Sequence, residues 1–108
     1  MMVMEVNKEN YESEVLGNEG CVLVDFWGPS CEPCLELMPA VEKIDEKYSD
    51  LKVVKLDSSK NRRLCINHKV MGLPTFIIYL NGEEVERISG KEVNEEALDA
   101  MVNKYIKN

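Results

Sequence analysis

The sequence predicts an α/β protein: a central mixed five-stranded β-sheet flanked by four α-helices, in the order βαβαβαββα. Three observations carry this expectation. Apolar, β-forming runs alternate with stretches of helical periodicity before a final pair of strands, the pattern of a sheet with helices on both faces. Val22–Trp27 is a nearly continuous apolar run, as expected of a strand buried on both sides. Thr75–Leu80 and Glu83–Ile88 are joined by Asn81-Gly82, a strong short-range signal for a β-hairpin.

Each element follows from its own residues. Val3–Val6 supplies a short first strand. Asn10–Leu16 reads as a short helix with Tyr11, Val15 and Leu16 on one face, ended by Gly17. Glu32–Tyr48 is the longest helical pattern, with Leu37, Val41, Ile44 and Tyr48 at i, i+4, i+7 and i+11. Pro39 lies inside it, removes one backbone donor and crowds the preceding turn, so a kink is expected there. Lys52–Leu56 alternates weakly and reads as the third strand. Lys60–Lys69 is a polar helix whose apolar side is Leu64, Cys65 and Val70. Asn94–Ile106 closes the chain as a helix with Leu98, Met101, Val102, Tyr105 and Ile106 on one face.

The 108 residues fit a single domain, 1–108, large enough to bury a core without metal or disulfide staples. A composition of 44% hydrophobic and 31% charged residues is too apolar for a disordered chain. The formal net charge of −7 argues against nucleic acid or an anionic membrane as a partner, since both select basic surfaces. Met1–Lys8 lacks a basic segment followed by an apolar one, and no apolar run approaches the roughly 20 residues of a membrane span. The expectation is a cytoplasmic monomer. In a reducing cytosol the four cysteines are not expected to form a disulfide scaffold. Cys21 and Cys65 sit in apolar surroundings and read as core residues.

The chemistry lies in Cys31-Glu32-Pro33-Cys34, at the junction of a strand pattern and a helix pattern. Two thiols at this spacing can close into a disulfide and reopen. At a helix start, free backbone N–H groups and the helix dipole favour an anion. That stabilises a thiolate, the form that attacks disulfides. Two other readings of the motif stand beside this one: a permanent structural disulfide, and half of a zinc site. Cys31, Cys34, Cys65 and His68 nominally offer four ligands, but there is no second CxxC, and Cys65 looks core-facing, so no metal is expected. Asp25 is an acid inside an apolar strand. It is either a strand-end residue facing solvent or a buried acid whose raised pKa suits proton transfer. No glycine-rich dinucleotide fingerprint is present, and the chain is too short for a flavin or nicotinamide domain. The expected redox group is therefore the cysteine pair itself, with no added cofactor, and electrons arrive from another protein.

Together these residues resemble the thioredoxin family over essentially the whole chain. Val24-Asp25-Phe26-Trp27 precedes the thiols, Pro33 lies between them and Pro39 lies in the following helix. Lys55-Leu56-Asp57 matches the third strand, and Gly72-Leu73-Pro74-Thr75, Asn81-Gly82 and Gly90 follow. The resemblance implies the thioredoxin fold, with Cys31 as nucleophile and Cys34 as resolving thiol. It further implies Asp25 as the proton acceptor beneath Cys34 and Lys55 as a modulator of that acid. Trp27, Pro33, Leu73, Pro74 and Gly90 would form the substrate-binding surface. The Leu73–Pro74 peptide would be cis, facing the disulfide and offering the Leu73 backbone to an extended peptide. Read alone, Lys55 is a surface lysine and Pro74 a strand opener. The implied function is reduction of protein disulfides by an electron carrier in cell redox homeostasis. Its partners would be a thioredoxin reductase and disulfide-containing target proteins. A dithiol oxidase or isomerase, or a non-catalytic binding module in a larger assembly, are the alternatives on the same fold.

Two positions depart from the family pattern. Ser30 stands where a Trp is usual before the first cysteine, which removes a flat apolar surface and offers a hydroxyl to cap the helix. Glu32 stands where a Gly is usual and places a negative charge beside Cys31. Such a motif resembles those of thioredoxins from anaerobic amino-acid fermenters that feed electrons to glycine-reductase-type systems.

Overall fold

The Cys21–Trp27 strand (β2) leaves no face for water: every residue from Cys21 to Phe26 is buried. The computed structural model, which describes residues 3–106, places it at the centre of the sheet. β2 pairs in parallel with β3 (Leu51–Asp57) on one side and antiparallel with β4 (Thr75–Leu80) on the other. β1 (Met4–Val6) adds in parallel to β3, and β5 (Glu83–Ser89) adds antiparallel to β4, giving the order β1-β3-β2-β4-β5. The ends of the expected domain, residues 1, 2, 107 and 108, lie outside the described residues.

Strand alternation divides the core into two layers. Val22, Val24 and Phe26 face one side with Val54 and Leu56, and Tyr11, Val15 and Cys65 cover them. Leu23 faces the other side with Val53, Phe76 and Ile78, under Val41, Ile44, Leu98 and Val102. Each such aliphatic or aromatic side chain contributes about 1.5–3 kcal/mol by leaving water. Cys21 and Cys65 are free thiols buried in these layers, as their surroundings suggested. The helices therefore lie on both faces of a mixed sheet, as expected: α1 (Glu32–Glu36), α2 (Met38–Lys47), α3 (Arg62–Asn67), α4 (Glu95–Asn103) and a helical turn at Glu12–Leu16.

The local differences have identifiable causes. The first helical segment is π-type: the Gly17 N–H donates to the Glu12 carbonyl at 2.7 Å, a bond spanning five residues. The long helical pattern is two helices that meet at Leu37. Pro39 has no N–H for the Leu35 carbonyl, and the Leu37 N–H is shared between the Pro33 and Cys34 carbonyls at 3.1 and 3.2 Å. The Lys60–Lys69 pattern opens instead with a 3-10 turn, Ser58–Lys60, before α3. Between the two, buried Asn61 donates to the Asp57 carbonyl (2.8 Å) and accepts from the Lys8 N–H (2.9 Å), tying the exit of β1 to the start of α3. α4 is capped by Asn94, whose Oδ1 accepts from the Ala97 N–H at 2.8 Å, and ends at Asn103, although Tyr105 and Ile106 still pack on its layer.

At the edge of the sheet, β5 carries Glu83, Glu84, Glu86 and Arg87, with Val85 as an extra residue opposite the Ile78–Tyr79 step of β4. The Arg87 guanidinium donates to Glu84 and also to the carbonyls of His68 (2.9 Å) and Lys69 (3.0 Å), closing the C-terminal end of α3. In the hairpin turn Asn81 and Gly82 both have positive φ, 52° and 84°, as a two-residue primed turn requires. Asn81 holds the loop before β2 through two bonds with Gly20. A Cβ at Gly82 would overlap the Leu16 carbonyl oxygen, whereas Gly20 (φ 94°) faces open space. Gly20→Ala is therefore expected to cost about 1–2 kcal/mol for its left-handed backbone alone. Gly82→Ala should cost clearly more in the same urea titration. Equal midpoints for the two variants would show that the Leu16 contact does not constrain the turn.

Candidate active site

β2 ends at Trp27, and a short turn delivers the chain to Cys31. The Cys31 N–H donates to the Gly28 carbonyl at 3.1 Å, so the turn is closed on itself just before α1 begins. Cys31 is the N-cap of α1, with extended backbone (φ −96°, ψ 99°), and its Sγ accepts from the Cys34 N–H at 3.2 Å. Sulfur thus occupies the position a Ser, Thr or Asp oxygen fills at most helix starts. Ser30, the other candidate cap, is exposed in the turn. Cys31 and Cys34 are joined by a disulfide, with their Cα atoms 5.2 Å apart. Cys31 is partly exposed and Cys34 is buried, because the helix carries the second thiol one turn inward. Glu32 and Pro33, between them, are exposed.

Four of the five expected substrate-surface residues meet. Pro33, Leu73, Pro74 and Gly90 line one groove of about 590 Å³, joined by Leu37 and Val93. The Leu73–Pro74 peptide is cis. The Pro74 carbonyl accepts from the Gly90 N–H (2.9 Å), and Thr75 Oγ1 donates to the Gly72 carbonyl (2.6 Å), which fixes the loop on both sides of Leu73. Among the described residues the Leu73 backbone takes part in no backbone hydrogen bond. Trp27 lies elsewhere. Its indole N–H donates to Glu5 Oε2 at 3.3 Å, and Lys55 Nζ sits 5.7 Å from its ring centre.

Asp25 is 1% exposed, and neither carboxyl oxygen has a hydrogen-bond partner among the described residues. Its neighbours are set by strand register. Asp25 is opposite Lys55 in β3, which is opposite Glu5 in β1, and the alternation puts all three on the same face of the sheet. Lys55 Nζ lies 3.9 Å from Glu5 Oε1. Burial pushes the Asp25 carboxyl up to about 7; Lys55 pulls it down and Glu5 pushes it up. Desolvation wins because the Lys55 side chain is partly exposed and shares its charge with Glu5. Glu5 was not among the sequence candidates. Its only local signal is its place in a three-residue strand, and its proximity to Lys55 comes from pairing across fifty residues of chain. Among the described residues, no group of three or more His, Cys, Asp or Glu side chains is placed to hold a metal ion.

A cysteine pair that closes across the first turn of a helix, on this sheet, defines a thiol–disulfide oxidoreductase. The thioredoxin family model matches residues 2–104. A thioredoxin of Acetoanaerobium sticklandii is 42% identical over 105 residues, spanning 96% of this chain and 100% of that protein. One of Peptoclostridium acidaminophilum is 40% identical over 107 residues, spanning 97% and 96%. The solved structure of a mutant thioredoxin from Halobacterium salinarum superposes with a TM-score of 0.87 at 31% identity, covering 97% of this chain and 91% of that one. This chain belongs to the thioredoxin family.

The raised Asp25 pKa has a consequence for stability. An unfolded Asp ionises near ~3.9, so between about pH 4 and 7 the unfolded chain loses the proton while the folded chain keeps it. Folding stability should fall across that window and stay lower above it. Asp25→Asn cannot ionise. Its urea-derived stability should match wild type near pH 4 and exceed it above pH 7, by up to something on the order of 4 kcal/mol. A difference that does not change with pH would contradict the buried-carboxyl account.

Proposed function

We propose that this chain is a one-domain electron carrier, spanning 1–108, that reduces protein disulfides through Cys31 and Cys34. The observation that carries this reading is the disulfide with one partly exposed and one buried cysteine, beside a groove lined by Pro33, Leu73, Pro74 and Gly90. In the reduced chain, the Cys31 thiolate attacks one sulfur of a target disulfide. A Cys31–target bond forms, the target S–S bond breaks, and the leaving sulfur takes a proton. Asp25, with a pKa near neutrality, accepts the Cys34 proton. Cys34 then attacks Cys31 Sγ, the mixed disulfide breaks, and the second target sulfur leaves and is protonated. The target gains two electrons from the chain as Cys31–Cys34 closes, and two protons, one originating on Cys34 and passed through Asp25, the other from water.

Several features support these roles. Cys34 is at the start of a helical segment whose continuation, α2, packs on the same face of β2 that carries Asp25. The unpaired backbone of Leu73 is available to an extended target peptide, whose disulfide would lie over Cys31. Lys55 tempers the Asp25 proton affinity, and Trp27 acts by covering Lys55 rather than by lining the groove. The carrier is read as a cytoplasmic monomer, reopened by a thioredoxin reductase that supplies two electrons and served by disulfide-containing target proteins. No helix among the described residues is long and apolar enough to cross a membrane.

Reduction of insulin in the presence of dithiothreitol tests the activity, and a chain that does not accelerate it is a binding module instead. Cys34→Ser should accumulate covalent complexes with targets through Cys31, whereas Cys31→Ser should accumulate none. Asp25→Asn should slow release of the mixed disulfide while leaving the attack step little changed. Mass spectrometry of trapped complexes and single-turnover kinetics read these outcomes. Complexes joined through Cys34 would reverse the assignment.

Glu32 provides a separate check on the electrostatics. Its carboxylate lies next to Cys31 on an exposed turn and opposes a thiolate there. Glu32→Gln keeps size and backbone preference, and should raise the thiolate fraction of the reduced protein near neutral pH. The gain should fade with added salt. Ultraviolet thiolate absorbance of both forms measures it, and an equal or smaller thiolate fraction in the glutamine variant would reject the charge effect.

A further inference from the structure

Ten of the thirteen basic side chains of this acidic chain fall into two groups; Lys69 and Lys91 belong to neither, and Lys107 lies outside the described residues. Lys43, Lys47, Lys52, Lys55, Arg87 and Lys104 each lie within 4 Å of an acid, on Glu95, Asp99, Glu14, Glu5, Glu84 and Glu86 respectively. Lys8, Lys60, Arg62 and Arg63 have no such acid among the described residues, and they gather in one place. The bond from the Lys8 N–H to Asn61 Oδ1 brings the loop after β1 against the start of α3, and all four cations border one cavity of about 320 Å³. The formal charge of −7 includes these four, so the rest of the chain carries −11. Glu9 and Glu12 border this region on the Lys8 side, which leaves the field most positive toward Arg62 and Arg63.

Arg62 also connects the patch to the reactive sulfur. It lines a second cavity, of about 560 Å³, together with Gly28, Ser30, Cys31 and Ile66. Ile66 on α3 is 63% exposed, and Met71, in the loop that follows, is 85% exposed. Exposed Ile66 beside Arg62 has the composition of a docking surface: an apolar contact region with a charged rim.

We propose that this face, where Arg62 borders Ile66 and the outer side of Cys31 and shares the adjoining cavity with Lys60 and Arg63, docks an acidic segment of the disulfide-bearing partner protein. The inference rests on the exchange function proposed above. It adds a selectivity: disulfides flanked by acidic residues are reduced faster than neutral ones. A protein partner fits better than a nucleic acid. The patch is a few charges wide and bounded by acids, whereas a polyanion would extend across the −11 remainder. The patch also adjoins Cys31, where only a partner carrying a disulfide gains from being held.

The test uses two synthetic peptides, each with one intramolecular disulfide, flanked by glutamates in one and by glutamines in the other. The fully reduced wild type and the triple variant Lys60→Gln, Arg62→Gln, Arg63→Gln are mixed with each, and peptide thiol release is timed by quenched flow. At low ionic strength the wild type should outpace the variant by roughly tenfold on the glutamate peptide, the lower end of electrostatic steering. The two proteins should match on the glutamine peptide. The advantage should vanish near ~1 M salt, where the Debye length falls to about 3 Å. Equal rates on the glutamate peptide at low salt would overturn the docking surface, as would an equal loss on both peptides. Retention of duplex DNA by the wild type and not by the variant would overturn the protein-partner assignment. No exchange by the wild type with either peptide would overturn the proposed function itself, and the docking inference with it.

Discussion

β2 is held along its length between two neighbours, Cys21–Trp27 against Leu51–Asp57 and Cys21–Phe26 against Leu80–Thr75. The site inherits its geometry from that double pairing. The turn after Trp27 can only start where β2 ends, so Cys31 begins its helix at a fixed place above the sheet. The pairing also decides where Asp25 goes. A slip of one residue would turn Val22, Val24 and Phe26 away from Tyr11 and Val15 and expose a different set of side chains to each layer. The apolar residues on both faces thus hold in register a carboxyl group that would otherwise avoid the interior.

Across three strands, Glu5, Lys55 and Asp25 form a row of alternating charge. With Asp25 protonated the row is neutral, and with Asp25 ionised it carries one net negative charge. The exposed end of the row, at Glu5, is wet and screened, while the inner end is dry. Interaction with Lys55 is therefore too weak to offset desolvation at Asp25, and the proton is held to near-neutral pH. A carboxyl poised in this way can take up and release a proton near neutral pH without a large energetic step.

The parts of this arrangement that were legible in sequence are those written locally. The apolar run of β2, the Asn81-Gly82 turn, the cysteine spacing and the apolar helix faces each occupy a few consecutive residues, and the structure keeps them all. Less legible were features decided by competition between nearby groups. The break at Leu37 precedes the proline that causes it, because the missing donor belongs to a bond reaching four residues back. The choice of Cys31 Sγ over the Ser30 hydroxyl as helix cap depends on where the turn closes, at Gly28. Illegible were the purely tertiary relations: Glu5 beside Lys55, and Trp27 turned to that pair rather than to the groove. The gathering of Lys8, Lys60, Arg62 and Arg63 around one cavity is of the same kind, since whether a cation is paired depends on strands and helices far away in the chain.

The two margins of the sheet differ from its middle. β1 is three residues long, and β5 presents glutamates, Arg87 and an extra residue at Val85. Short, charged and irregular edges make poor templates for a further strand. Copies of this chain are thus disfavoured from zipping together edge to edge, even when crowded. An extended polypeptide arriving from outside likewise finds little backbone to pair with at either margin. The Leu73 main chain, which takes part in no backbone hydrogen bond among the described residues, lies away from both of these guarded margins.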